Sequence, residues 1–172
     1  MAWKIDGAHS KVGFAVRHMM ITTVRGSFAV PTVELSLDPN DLTRSSVKVT
    51  VDAASVNTNE AARDGHLRSA DFFDVENHPN ITFVSTAVKH KGEDFELTGD
   101  LTIRGVTRSV TLKGEGQGPA KDPWGASRFA FSLAADIDRE DFGLKWNQAL
   151  EAGGVLVAKK VKLEIDVQLV EG

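Results

Sequence analysis

The residues best suited to chemistry in this sequence are concentrated between Arg63 and Phe83. The segment carries the acids and histidines Asp64, His66, Asp71, Asp74 and His78. Carboxylates and imidazoles bind divalent metals and transfer protons, so such a cluster is a candidate active site. The same segment contains the adjacent phenylalanines Phe72 and Phe73, which suit an apolar contact instead.

The spacing of these residues argues against a metal site. His66 and His78 are twelve positions apart, whereas metal-binding histidines often occur as His-x-x-x-His on one face of a helix. The aspartates lack the residue order of a calcium-binding loop. A general acid/base pair stays open in principle, but solvated charges on a surface excursion are the favoured interpretation.

The rest of the chain is poor in reactive groups. It has no cysteine and no tyrosine, and it lacks a Gly-x-Ser-x-Gly elbow, a phosphate-binding loop and a dinucleotide fingerprint. His9 and Ser10 are adjacent, but nothing supplies the third group that would orient a nucleophile and its base. We therefore predict that the protein is not an enzyme, with no catalytic residues, no metal and no cofactor.

Composition limits the partners of this 172-residue chain. Its 20 basic and 24 acidic side chains give a net charge of −4 and are spread along the sequence. That distribution excludes the clustered basic face of a nucleic-acid-binding protein and argues against constitutive adhesion to anionic membrane. The length fits one domain over residues 1–172. With no signal peptide and no apolar run of ~18 residues, we expect a cytoplasmic protein without stable membrane insertion, or a periplasmic one if a signal was removed.

Apolar and polar residues alternate with a period of two over most of the sequence. Near the C-terminus, for example, Leu163 and Ile165 alternate with Lys162 and Glu164. Strands with one solvent-exposed face and one buried face are typical of antiparallel sheets. The pattern predicts eight strands, near residues 9–18, 22–37, 44–56, 80–90, 93–104, 106–117, 126–138 and 155–170.

Three features bear on how these strands assemble. Within 22–37 the large apolar residues occupy even positions before Pro31 and odd positions after it. This change predicts a β-bulge at Pro31-Thr32 that bends the strand. Short joins and an even strand count favour a closed up-and-down barrel over a two-sheet sandwich, because closure removes both edges. Segments 58–79 and 139–153 interrupt the alternation, and the first contains a short helix within 60–70.

The interior of such a barrel is either filled by side chains or hollow. Several small residues fall at inward parity, namely Ala53, Ala87, Gly99, Gly114, Gly116 and Ala135. They leave room for a ligand or merely accommodate neighbouring phenylalanines, and the residues alone favour neither interpretation. His18 lies at inward parity at a strand end, where it binds a ligand headgroup or, more commonly for a lone histidine, a core partner.

Several motifs occur in order along the chain. They are Trp3-Lys-Ile-Asp-Gly-Ala-His-Ser-Lys-Val-Gly-Phe-Ala-Val-Arg-His18, Val24-Arg-Gly-Ser-Phe28, His66-Leu-Arg-Ser-Ala-Asp-Phe-Phe-Asp74, Pro79-Asn-Ile-Thr-Phe-Val-Ser85, Leu97-Thr-Gly-Asp-Leu-Thr-Ile-Arg-Gly-Val-Thr107 and Ile137-Asp-Arg-Glu-Asp-Phe-Gly-Leu-Lys-Trp146. Together they resemble the YceI-like family of bacterial proteins. The resemblance implies a lipocalin-like, eight-stranded antiparallel barrel with a helical excursion near one end of an elongated apolar pore. It also implies carriage or storage of a polyisoprenoid or isoprenoid quinone, no catalytic set, and a homodimer.

Strand parity and the two interruptions then predict the ligand-binding residues. They are Val12, Phe14, Val16, His18, Phe28, Phe72, Phe73, Phe83, Leu101, Ile103, Phe129, Phe131, Leu133, Phe142 and Trp146, of which Phe72, Phe73, Phe142 and Trp146 close or line the ends. Two alternatives stay open. One is a packed barrel that binds a protein partner through its surface, and the other is a small hydrolase or isomerase using His9, His18 or the acids of 64–78.

Overall fold

The computed structural model describes residues 2–148 and 156–172. One short α-helix, α1 (Ala61–Arg68), accompanies the strands of these segments. The strands are β1 (Trp3–Ile5), β2 (Lys11–His18), β3 (Thr22–Phe28), β4 (Thr32–Ser36), β5 (Ser46–Asp52), β6 (Asn80–Lys91), β7 (Asp94–Ile103), β8 (Val106–Lys121), β9 (Ser127–Asp138) and β10 (Val157–Glu171).

All of these strands belong to one curled antiparallel sheet. From β4 to β10 each strand pairs with the next along the chain; β10 then pairs with β2, and β2 with β3. β1 is a short addition that pairs with the end of β10. The prediction of an all-β, antiparallel up-and-down barrel fold with a short helix is confirmed, with ten strands in place of eight over the described residues. The sheet is a curled half-barrel, however, because its edge strands β3 and β4 do not pair, so the predicted closure of both edges is not seen. The predicted interruption at 139–153 is found over 139–148, and its remainder lies outside the described residues.

The strand predicted over 22–37 is two strands in the structure. β3 pairs with β2 and β4 pairs with β5, so the two lie at opposite ends of the pairing order. Residues 29–31 connect these edges across the open side of the sheet, and Pro31 contributes no N–H to either ladder. The predicted bulge at Pro31-Thr32 is therefore wrong, because the chain leaves one ladder there and joins another.

A register shift inside β6 changes which residues face inward. The ladder with β7 is irregular between Ser85 and Ala87, so the parity of the strand changes there. Val88 is consequently buried and Ala87 is exposed. The prediction that Ala87 faces inward is wrong for this reason.

The helical excursion between β5 and β6 is tied down by polar contacts. Glu60 caps α1 by accepting from the N–H groups of residues 62 and 63. Buried Asp64 accepts from the backbone N–H and the hydroxyl of Thr58, and these hydrogen bonds lower its pKa. Arg68 donates to the carbonyls of Ala54 and Val56. These bonds fix the excursion across one end of the sheet, called here the helical end.

The opposite end is filled by the N-terminal strand. The Trp3 ring lies 5.0 Å from the Phe129 ring, and both pack with Leu169 in a small core cluster. Next to it, Arg128 bridges Asp6 (2.7 Å) and Asp122 (2.8 Å), which joins the start of the chain to the β8–β9 hairpin. The larger core cluster lies on the inner face of the sheet and continues to the helical end.

Candidate ligand-binding cavity

The inner face of the sheet surrounds a cavity of about 620 Å³. Its lining comes from inward positions of β2 to β10 together with the helical excursion. Aliphatic and aromatic side chains dominate, including Val33, Val49, Leu97, Val110, Val161, Leu163 and Ile165. The alternation that builds the strands therefore also builds the apolar wall.

Most of the predicted ligand-binding residues lie on this wall. They are Val12, Phe14, Val16, His18, Phe28, Phe72, Phe73, Phe83, Leu101, Ile103, Phe131, Leu133 and Trp146. Their placement follows the predicted parity, whereas their contact with a ligand stays a prediction. His18 is half-buried at the helical end, opposite Val157 of β10.

Phe129 and Phe142 do not line the cavity. The predicted position of Phe129 in the lumen is therefore wrong, whereas the predicted role of Phe142 in closing an end stays a prediction. Phe129 has the inward parity, but Trp3 of β1 covers it at the closed end. Phe142 ends the 3₁₀ turn Arg139–Phe142 and is fully buried in the core. Its ring therefore packs against other core side chains and does not face open space.

The inward glycines accommodate phenylalanine rings. A Cβ on Gly99 would lie 2.5 Å from Cζ of Phe83, and one on Gly116 would lie 2.7 Å from Cε1 of Phe131. Gly114 instead faces the Ser132 carbonyl. Gly99 and Gly116 thus make room for phenylalanine rings, so the open volume of the cavity does not come from these two glycines.

Polar lining residues are concentrated at the helical end. They are His18, Thr58, Glu60, Arg63, His66 and Arg139. Glu60 and the neighbouring Ala62 are exposed as well as lining, so the wall is continuous with the surface at the start of α1. Ser45 and Ser46, at the start of β5, instead add hydroxyls away from the helical end. The cavity thus has an apolar body and a polar end.

His66 lies on the cavity wall, although 37% of its side chain is exposed. Its ring packs edge-on against Trp146 (4.6 Å between centroids) and Phe72 (5.0 Å), while Nε2 lies 2.9 Å from an Asp71 carboxylate oxygen. The interpretation of the 64–78 charges as solvated is wrong for buried Asp64, and for half-buried His66 it misses the contact with the cavity. Asp71 is exposed, in agreement with that interpretation.

Arg139, which strand parity does not select, organises the same end. Its guanidinium donates to the carbonyls of Leu144, Trp146, Val157 and Ala158 and lies 6.0 Å from the Phe72 ring centroid. Burial lowers its pKa, and Glu140 and Asp138 oppose that effect. The guanidinium thus holds the segment that carries Trp146 against β10.

The described residues contain neither a metal-ligand cluster nor a membrane-spanning helix. Within residues 2–148 and 156–172, no three histidine or acidic side chains converge as metal ligands. Nor does any helix in these segments have the length and hydropathy of a membrane span.

A curled antiparallel sheet with a short helical excursion around an apolar cavity defines the lipocalin-like class of barrels. The chain belongs to the YceI-like family, since the model of the YceI-like domain matches residues 3–169. It is 38% identical over 164 residues to the UPF0312 protein SAS2572 of Staphylococcus aureus, covering 95% of this chain and 94% of that relative.

Two solved structures illustrate the fold. The Campylobacter jejuni YCEI protein has a TM-score of 0.78 and 32% identity, covering 100% of this chain and 99% of that one. A polyisoprenoid binding domain from Saccharophagus degradans has a TM-score of 0.70 and 16% identity over 98% of each chain. The second likeness is one of fold alone.

Proposed function

We propose that this protein binds a polyisoprenoid or an isoprenoid-quinone-like amphiphilic lipid and carries or stores it. The observation that carries the proposal is the cavity of about 620 Å³ with its apolar body and polar end. A related fold from Saccharophagus degradans is described as a polyisoprenoid binding domain. No catalytic role is part of the proposal.

The volume gives an estimate of the apolar chain length. A five-carbon prenyl unit has a van der Waals volume of ~80 Å³ and so occupies ~110 Å³ at interior packing density. About five or six such units would fill the cavity. Burial of each contributes ~4 kcal/mol at ~0.8 kcal/mol per methylene-sized group, before ordering costs. Apolar length therefore sets affinity.

The polar end would receive the headgroup. In the tautomer of His66 whose Nε2–H donates to Asp71, Nδ1 is a hydrogen-bond acceptor. A prenol or quinol hydroxyl is a suitable donor for that nitrogen. Arg139 has five N–H donors and makes four hydrogen bonds to carbonyls, so its main role is to position Trp146.

The cavity also separates this proposal from the alternatives. A packed interaction module needs a filled interior, which an open volume of this size disfavours. For a hydrolase or isomerase, His9 pairs with Asp6 on the exposed surface, away from the cavity wall. His66 and Asp71 pair at the polar end, and the rings of Phe72 and Trp146 pack against the imidazole.

Native mass spectrometry of gently purified protein, followed by organic extraction, tests the proposal. We expect a co-purified prenyl lipid, or uptake of a prenyl quinone supplied in excess. Val49→Trp, on the cavity wall, should lower quinone affinity at least tenfold, whereas Lys48→Trp, on the outer face of the same strand, should not. A protein that stays empty with quinone in excess would exclude the proposal.

We also propose a homodimer, as the family resemblance implies. Sedimentation velocity over a concentration series measures the assembly state. A single species with the mass of one 18.6 kDa chain at every concentration would contradict it.

A further inference from the structure

The turn between β2 and β3 exposes an unusual set of side chains. Met19, Met20 and Ile21 are 46%, 53% and 73% exposed, consecutive in the chain and at the end of a hairpin. Hairpin turns normally carry Asn, Asp or Gly, because both central residues need positive φ. Here the central residues are Met19 and Met20, with φ of 55° and 65°. The chain thus keeps large apolar side chains where the backbone disfavours them.

This apolar tip, defined as residues 19–21, lies beside the polar end of the cavity. His18 and Val16 of the same hairpin line the cavity, and Met19 N–H donates to the carbonyl of Leu156, another lining residue (2.7 Å). The tip therefore projects from the end where the headgroup would lie.

The size and charge of the tip indicate its partner. Its three side chains expose on the order of 300 Å², well below the ~800 Å² per partner that a stable protein interface buries. Arg17 lies at its base, with Nη2 donating to the Met20 carbonyl (3.2 Å). A small convex apolar tip above a cation matches a lipid surface, with apolar side chains among the acyl chains and the cation at headgroup level.

We propose that the apolar tip docks the protein transiently on a phospholipid bilayer, so that the polar end of the cavity meets the lipid it loads or releases. This inference rests on the proposed function. Docking places the polar end of the cavity where a prenyl lipid resides and avoids passage of the free lipid through water. Three side chains give a weak, reversible contact, which suits a carrier.

Flotation with phosphatidylcholine vesicles, with and without phosphatidylglycerol, tests the docking. We expect the wild type to co-float and Met20→Glu/Ile21→Glu to lose at least tenfold in partition. Met19→Asn/Met20→Gly should also lose partition while keeping a favourable turn, so its loss cannot be attributed to unfolding. The matched control is Trp124→Glu, because Trp124 is 86% exposed in the β8–β9 turn at the other end of the sheet.

Transfer kinetics provide the second readout. The rate of prenyl-quinone uptake from vesicles should rise with vesicle concentration for the wild type and fall at least tenfold in the tip variants. Affinity for quinone added from ethanol should be equal in all of them. Equal flotation of the wild type and tip variants, loss only in Trp124→Glu, or a dimer that dissociates in the tip variants would overturn the inference. A wild type that binds no quinone from ethanol would instead remove the proposed function.

Discussion

Individual glycines decide how closely the phenylalanine rings of the inner face pack. Gly26, Gly99 and Gly116 lie directly against Phe14, Phe83 and Phe131 respectively. All three phenylalanines also line the cavity. The shape of the cavity therefore depends on positions that have no side chain of their own.

Gly99→Ala should destabilise the protein. Its Cβ would lie 2.5 Å from the Phe83 ring and 2.6 Å from the Val84 carbonyl oxygen, and the backbone atom cannot easily move. We expect a loss of ~1–3 kcal/mol in the free energy of unfolding, measured by denaturant titration. Gly65→Ala, in α1 with no atom within 4 Å of the new Cβ, should instead gain ~0.5–1 kcal/mol. Equal stability of the two variants would contradict this account.

His66→Phe should separate headgroup recognition from packing. The new ring keeps the edge contacts with Phe72 and Trp146 but has no acceptor nitrogen. Loss of one hydrogen bond worth ~1 kcal/mol lowers the affinity for a prenol about fivefold. A prenyl hydrocarbon of equal length, measured in the same fluorescence competition assay, should bind unchanged. Equal loss for both ligands would mean that His66 acts only through packing.

Among the elements, the β2–β3 hairpin carries strain that a substitution can relieve. Met19 and Met20 occupy the left-handed region, which costs a non-glycine residue ~1 kcal/mol or more. Met19→Asn/Met20→Gly should therefore raise the free energy of unfolding by ~1–2 kcal/mol in thermal or denaturant unfolding. Met19→Ala keeps the strained backbone and should give no comparable gain. A destabilised Asn-Gly variant would show that the methionines pack favourably in the turn.

The junction between the N-terminal segment and the β8–β9 hairpin should respond to acid. Hydrogen bonds from Arg128 and then His9 lower the pKa of Asp6 from 3.8 to about 2. A depressed pKa stabilises the folded state at pH above the unfolded value of 3.8, and this stabilisation is lost as the pH falls through about 2.

Asp6→Asn should therefore be less stable than the wild type at neutral pH, and the difference should shrink between about pH 4 and 2. Denaturant midpoints measured across this range check the expectation. Asp100→Asn, an exposed strand residue outside the ion pairs of the described segments, serves as control. A difference between wild type and Asp6→Asn that does not change with pH would exclude the ion pair as its source.

The sequence predicts an element well when the residues that determine it lie within that element, and poorly when contacts with distant parts of the chain decide. Alternation places β5 to β10 within a few residues, because burial of one face acts strand by strand. The prediction for Ala87 is wrong because a register shift changes which residues of β6 face inward, and no sequence signal marks that shift. Phe129 has the predicted parity, but only tertiary structure brings Trp3 over it. His66 reaches the cavity wall through the docking of the whole excursion, which periodicity cannot describe.

At the scale of the whole molecule, the fold sets the size and the two ends of the cavity, and these in turn set the length and orientation of a ligand that fits. One curled sheet forms the wall, β1 fills one end, and the excursion forms the polar end with Arg139 and His66. The two ends differ in chemistry, so a lipid would bind with its headgroup toward the excursion and its tail toward Trp3.

A ligand in that orientation should have an optimal apolar length. Affinity for synthetic prenols of increasing length should rise up to about five or six units, the capacity estimated from packing density, and then level off. Additional units would extend into water and bury no further surface. Val49→Trp adds ~90 Å³ to the wall and should move the plateau to about one unit fewer, whereas Lys48→Trp should leave it unchanged. Competition against a fluorescent prenyl probe measures each affinity. If affinity kept rising well beyond six units, or if Val49→Trp did not move the plateau, the tail would bind outside this cavity.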